Sequence, residues 1–86
     1  MRVVVIGVTD DPADAERLQR EGADAVEPPD GRPTLDTPEE VAAAIVRGAT
    51  TVRTRYVRSA RRVADVLAAV ADAGAAEPDN GAGSGG

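Results

Sequence analysis

Eighty-six residues are enough for one domain, and the chain holds no histidine and no cysteine. Disulfides, thiolate metal sites, the commonest zinc ligand and every Ser-His-Asp or Cys-His catalytic arrangement are therefore excluded. The net charge of −5 is unevenly placed: residues 1–46 carry four arginines against eleven acids, residues 47–73 six arginines against two acids, and the remainder adds two acids. An acidic body with an arginine-rich end suits an anion-binding edge or head-to-tail contact between protomers. The ordinary reading of the same charges is a solvated arginine face on one helix. No stretch approaches the roughly 18 apolar residues of a membrane span. Met1-Arg2 leads straight into a strand-like run, which is not the layout of a signal peptide, so the expected compartment is the cytoplasm.

Val3 to Ile6, with Gly7 and Val8, is a β-branched apolar run and predicts a strand covered on both faces, as in a parallel sheet. Thr9-Asp10-Asp11-Pro12 announces a helix, with Asp11 as its cap and Pro12 at its first position. That helix runs to about Glu21, stops at Gly22, and offers little more than Ala15 and Leu18 to a core. Ala23 to Glu27 predicts a second strand, and the Pro- and Gly-rich stretch from Pro28 to Pro33 a loop. Thr37-Pro38-Glu39-Glu40 reads as a capping box opening a second helix, which carries Val41, Ala44 and Ile45 and ends near Arg47 at Gly48. Thr50 to Arg55 predicts the third strand. A last helix starts at Val57 or Arg58, with Ala60, Val63, Ala64, Leu67, Val70 and Ala71 on its apolar stripe and Arg58, Arg61 and Arg62 mostly opposite.

The alternation gives an α/β fold: a three-stranded parallel sheet, βαβαβα, flanked by helices and too short to close a barrel. Residues 1–73 form the small α/β domain, and residues 74–86, rich in Gly, Ala and acids, read as a disordered tail. Seventy residues with Tyr56 as the only aromatic bury a modest core. Exposed sheet edges and thin helical cover point to a homodimer or a complex with another chain.

In such folds ligands bind at the carboxyl ends of the strands. The three loops there offer Thr9, Asp10 and Asp11, then Asp30 and Arg32, then Arg53 and Arg55. Strand alternation places Arg53 and Arg55 on one face, where two guanidiniums suit a phosphate or carboxylate. The alternative is that they pair with Asp10, Asp11 or Asp30 as structural ion pairs. Asp10 and Asp11 are the candidate magnesium ligands, against the plainer reading that they cap a helix. The basic segment Arg53 to Arg62 with Tyr56 admits a nucleic-acid contact, but the acidic remainder argues against it.

At these three loops the chain resembles the dihydropteroate synthase family, the pterin-binding barrels of folate synthesis. Gly7-Val8-Thr9-Asp10-Asp11-Pro12 stands where that family has N-V-T-P-D-S. Glu21-Gly22-Ala23-Asp24-Ala25-Val26-Glu27 is similar to its E-G-A-D-I-V-D, with Arg32-Pro33 as the R-P that follows. Gly48-Ala49-Thr50-Thr51-Val52-Arg53-Thr54-Arg55 resembles its G-A-x-x-V-R-x-H. Gly7 replaces the family's asparagine and Arg55 its closing histidine, and the central pterin-holding strands have no counterpart. The resemblance implies a truncated relative with sheet order 2-1-3 that keeps the anion end. It implies a non-catalytic module binding a phosphate-bearing or pterin-type ligand through Thr9, Asp11, Arg32, Arg53 and Arg55, or modulating a full-length synthase. An enzyme completed by a partner chain is a further expectation of that resemblance. The alternative from another class is a small interaction protein that works by oligomerising, with no ligand.

Overall fold

The structure is a computed structural model and describes residues 1–76. Its elements are β1 (Val4–Val8), α1 (Pro12–Arg20), β2 (Ala25–Glu27), α2 (Pro38–Val46), β3 (Thr51–Thr54) and α3 (Val57–Ala76). The strands form one parallel sheet in the order β2-β1-β3, so the first strand made is the central one. Three strands stay open, and the fold is α/β and too small for a barrel. The helix α3 includes 74–76, the start of the stretch read as a tail; residues 77–86 lie outside the described residues.

The helix starts follow the expected chemistry. The Asp11 carboxylate accepts from the Ala13 N–H at 3.0 Å, with Pro12 at the first position of α1. At α2 the Thr37 hydroxyl accepts from the Glu40 N–H, and the Glu40 carboxylate accepts from the Thr37 N–H. Both strand edges of β1 are used, Ile6 opposite Ala25 of β2 and Val5 opposite Val52 of β3. The outer edge of β3 is partly closed as well, because the Leu35 N–H donates to the Arg53 carbonyl at 2.8 Å.

The core lies on one side of the sheet. Val3, Val5 and Val52 are buried there against Leu18 of α1, Val41 and Ile45 of α2, and Val57, Ala60 and Ala64 of α3. Gly7 belongs to this side: a Cβ on it would meet Leu18 Cδ1 at 2.9 Å and Val57 Cγ2 at 3.1 Å. The absence of a side chain is what lets α1 and α3 both close on the middle of β1. Alternation turns Val4, Ile6 and Val8 to the opposite face. Only Val8 is buried there; Val4 and Ile6 are half-buried, and their neighbours Ala25 and Thr51 are exposed. The expected cover on both faces of β1 is thus met on one. The apolar run could not reveal this, because it reads the same whether one face or two are covered.

Candidate functional site

Three features shape the carboxyl end of the sheet. The first is the turn after β1, where the Thr9 hydroxyl accepts from the Asp11 N–H at 3.2 Å. The second is the loop over residues 28–36. The third is the exit from β3, where the buried Thr54 hydroxyl accepts from the Tyr56 N–H at 3.0 Å and turns the chain into α3. Together with α1 they enclose an open crevice of about 550 Å3. Thr9, Arg17, Arg32, Arg55 and the Tyr56 ring line it, with Asp10 and Asp14 as its acids. A second hollow of about 430 Å3 shares Arg17, Arg55 and Tyr56 and adds Arg58, Ser59 and Arg62 from the start of α3.

Of the sequence-derived site residues, Thr9, Arg32 and Arg55 come together in the crevice; Asp11 and Arg53 are not on its wall. The carboxylate of Asp11 is occupied as the cap of α1. Arg53 and Arg55 do not share a face in the sense expected. The strand ends at Thr54, so alternation stops governing before Arg55. Arg53 lies on the bare face of the sheet, reaching over β1 to the Glu27 carboxylate and to Asp30 at 3.2 Å, and its side chain is only 12% exposed. Its Nε is buried without a hydrogen-bond partner among the described residues. Arg55 is 60% exposed, pairs with Asp36 and stands 5.9 Å from the centre of the Tyr56 ring.

Of the ion pairs raised by the sequence, Arg53 with Asp30 forms, whereas Arg55 pairs with Asp36, which the sequence did not single out. The pairs fix charges. The Arg55 guanidinium holds the Asp36 carboxyl below the usual carboxylate range, and Asp36 in turn pushes Arg55 up. The Arg32 N–H, then the Arg32 guanidinium, lowers Asp30; Arg17, followed by the Thr9 hydroxyl, lowers Asp14. Among the described residues no cluster of three acidic side chains has a geometry for a metal ion.

Two arginines matter in ways the sequence did not disclose. Arg17 of α1, paired with Asp14 and Glu21, contributes to both hollows. Its proximity to Arg55 is a product of helix-on-sheet packing and has no local signal. Arg61, expected mostly on the solvated side of α3, is instead drawn to the opposite end of the sheet. It donates to Asp24 at 2.9 Å and to the Val3 carbonyl at 3.0 Å. Its stem packs on Gly22, whose φ of +113° and lack of Cβ leave room for it. Asp24 also accepts from the Val5 N–H at 2.9 Å. That N–H first, and the Arg61 guanidinium next, lower the Asp24 carboxyl despite burial that pushes it up.

No helix among the described residues is long and apolar enough to cross a membrane. Searches against protein families, curated proteins and solved structures find no match for this chain.

Proposed function

We propose that the chain is a small non-catalytic module that binds a phosphate-bearing or pterin-type ligand at the carboxyl edge of its sheet. The observation that carries this is the convergence of Arg17, Arg32 and Arg55, from three separate segments, on one crevice with Thr9 and Tyr56. Each arginine is paired with a carboxylate, but Arg32 and Arg55 are mostly exposed. Exposed ion pairs are worth only about 0–1 kcal/mol, whereas a bidentate guanidinium–phosphate contact is charge-assisted and directional. A phosphate can therefore displace a carboxylate here. The Tyr56 ring supplies a flat apolar wall for a ring-bearing ligand.

The link to folate synthesis rests on the motif resemblance, and the sheet order 2-1-3 is the one that resemblance implies. On this reading the module works in the cytoplasm, beside or upon a full-length synthase. The second reading, an assembly protein without a ligand, is favoured by a different observation: Val4 and Ile6 on the bare sheet face, and Val66 and Val70 on α3, are left for another surface to cover.

Titration calorimetry with pyrophosphate tests the first reading. The parent chain should bind, Arg55→Ala should weaken binding by about tenfold, the loss of one charge-assisted contact of roughly 1.5 kcal/mol, and Arg47→Ala, at the far end of α2, should change nothing. No binding by the parent, or equal losses in both variants, removes the anion site.

A further inference from the structure

The crevice at the carboxyl end of the sheet does not stand alone. The second hollow adjoins it: Arg17, Arg55 and the Tyr56 ring belong to the walls of both, and Tyr56 is 55% exposed. Arg32 lines only the crevice, and Arg58 and Arg62 line only the second hollow, so the shared ring stands between two groups of arginines. The charge of the second hollow is one-sided. Arg17, Arg55, Arg58 and Arg62 line it against a single carboxylate, Glu21. That carboxylate already accepts from Arg17 at 3.0 Å and lies 3.9 Å from Arg58, beyond hydrogen-bond reach. Among the described residues Arg62 has no carboxylate partner. Gathered guanidiniums repel one another, and a phosphoryl group among them turns that repulsion into charge-assisted hydrogen bonds.

We propose that one ligand fills both hollows: a small molecule with a flat ring between two phosphoryl groups, the chemistry of a nucleoside bisphosphate. The proposal rests on the reading of the crevice as an anion site and adds a second anion subsite beside it. One phosphoryl group takes Arg32 and Arg55, and the base lies on the Tyr56 ring, where stacking is tolerant of base identity. The other takes Arg58 and Arg62, with the Ser59 hydroxyl as a further donor in the same wall. The hollows, about 430 and 550 Å3, each fall within the range of about 300–1,000 Å3 typical of small-molecule sites, so the pair has room for more than a single phosphate. A single nucleic-acid strand repeats the same chemical unit. The net charge of −5, with eleven acids in residues 1–46, repels a long polyanion and favours the free molecule.

Titration calorimetry with pyrophosphate, adenosine monophosphate and adenosine 3′,5′-bisphosphate separates the two subsites. The bisphosphate should bind about tenfold tighter than the monophosphate, the gain of one charge-assisted contact. Arg62→Ala should remove that gain and leave pyrophosphate binding unchanged, whereas Arg32→Ala should weaken all three probes. Tyr56→Leu should weaken both nucleotides by about tenfold and spare pyrophosphate. Arg62 and Tyr56 are exposed, so neither change disturbs the core. A short oligoadenylate should bind no tighter than the bisphosphate. If pyrophosphate binds through Arg32 but the bisphosphate is no tighter than the monophosphate, or is indifferent to Arg62→Ala, the second subsite is overturned while the crevice stands. Pyrophosphate binding that depends on Arg62 and ignores Arg32 also overturns the two-site ligand. An oligoadenylate bound tenfold tighter than the bisphosphate replaces the free molecule by a strand. No binding of any probe removes both the crevice reading and this one.

Discussion

The two ends of the sheet use the same residue type for opposite ends. At the amino end, Arg61 reaches across from α3 to bond Asp24 and the Val3 carbonyl, while Asp24 holds the Val5 N–H. Arg61, Asp24, the Val3 carbonyl and the Val5 N–H bond one another there, and the Arg61 side chain is only 23% exposed. At the carboxyl end, Arg32 and Arg55 are themselves exposed and lean on the Asp30 and Asp36 carboxylates beside an open crevice. A guanidinium becomes structural when its partners are backbone groups with nowhere else to turn. It stays available when its partner is a side chain that water can serve equally well. Arg53 sits between these cases, shielded like the first and paired to side chains like the second.

That contrast breaks most visibly at Arg61. Arg61→Ala should lower unfolding free energy by about 2–3 kcal/mol, because it strips charge-assisted bonds, leaves the Val3 carbonyl without its side-chain donor and leaves Asp24 only the Val5 N–H and Arg2. Pyrophosphate binding, normalised to folded protein, should be unchanged. Chemical denaturation followed by circular dichroism measures the first quantity and calorimetry the second. A loss below about 0.5 kcal/mol, the scale of ordinary surface changes, would put the clamp among incidental ion pairs.

Acid is the next lever. The carboxyls of Asp24 and Asp36 are lowered in the folded chain relative to the unfolded one. Their contribution is present above the ordinary carboxylate range and is lost as pH falls through the lowered folded values. Stability should therefore be flat from neutrality to about pH 5 and decline below about pH 4. Asp24→Asn should flatten that decline more than Asp36→Asn, since the Val5 N–H is the larger cause at Asp24 and an exposed arginine at Asp36. Equal flattening would mean that the two ends of the sheet are electrostatically alike.

The finest distinction lies within the pair that the sequence treated together. Arg53→Ala should cost about 1 kcal/mol of stability through the loss of its contacts with Glu27 and Asp30. Arg55→Ala should cost less than about 0.5 kcal/mol, as an exposed pair does. Thermal melts of the two variants side by side decide the order; the reverse order would place the structural arginine at 55.

Much of the fold was legible because its signals are local. Pro12 after Asp11 and the Thr37–Glu40 box fix helix starts within one turn, and glycines at 22 and 48 close the helices they follow. The β1 run announced a central strand for the same reason. What stayed hidden depends on distance. Arg61 looks solvated on a helical wheel, and only the approach of β1 and the turn after α1 makes it a clamp. Arg55 looked like the twin of Arg53 until the strand stopped one residue short of it. The one-sided core was illegible too, since Val4 and Ile6 are as apolar as Val3 and Val5. The crevice was found in outline from the loops, but Arg17 entered it only through the packing of α1.

The Arg61–Val3 bond spans 58 residues of chain. Its cost is one of time. The central strand is the first to leave the ribosome, yet its covered face is closed by Val57, Ala60 and Ala64, which are among the last residues of the domain to emerge. Until then Val3 and Val5 have only Leu18, Val41, Ile45 and Val52 to shelter them, and loop closure over such separations is slow compared with local helix formation. Synthesis thus leaves an apolar strand waiting for its lid, and the same property makes refolding of the whole chain depend on α3 docking as a late, committing event.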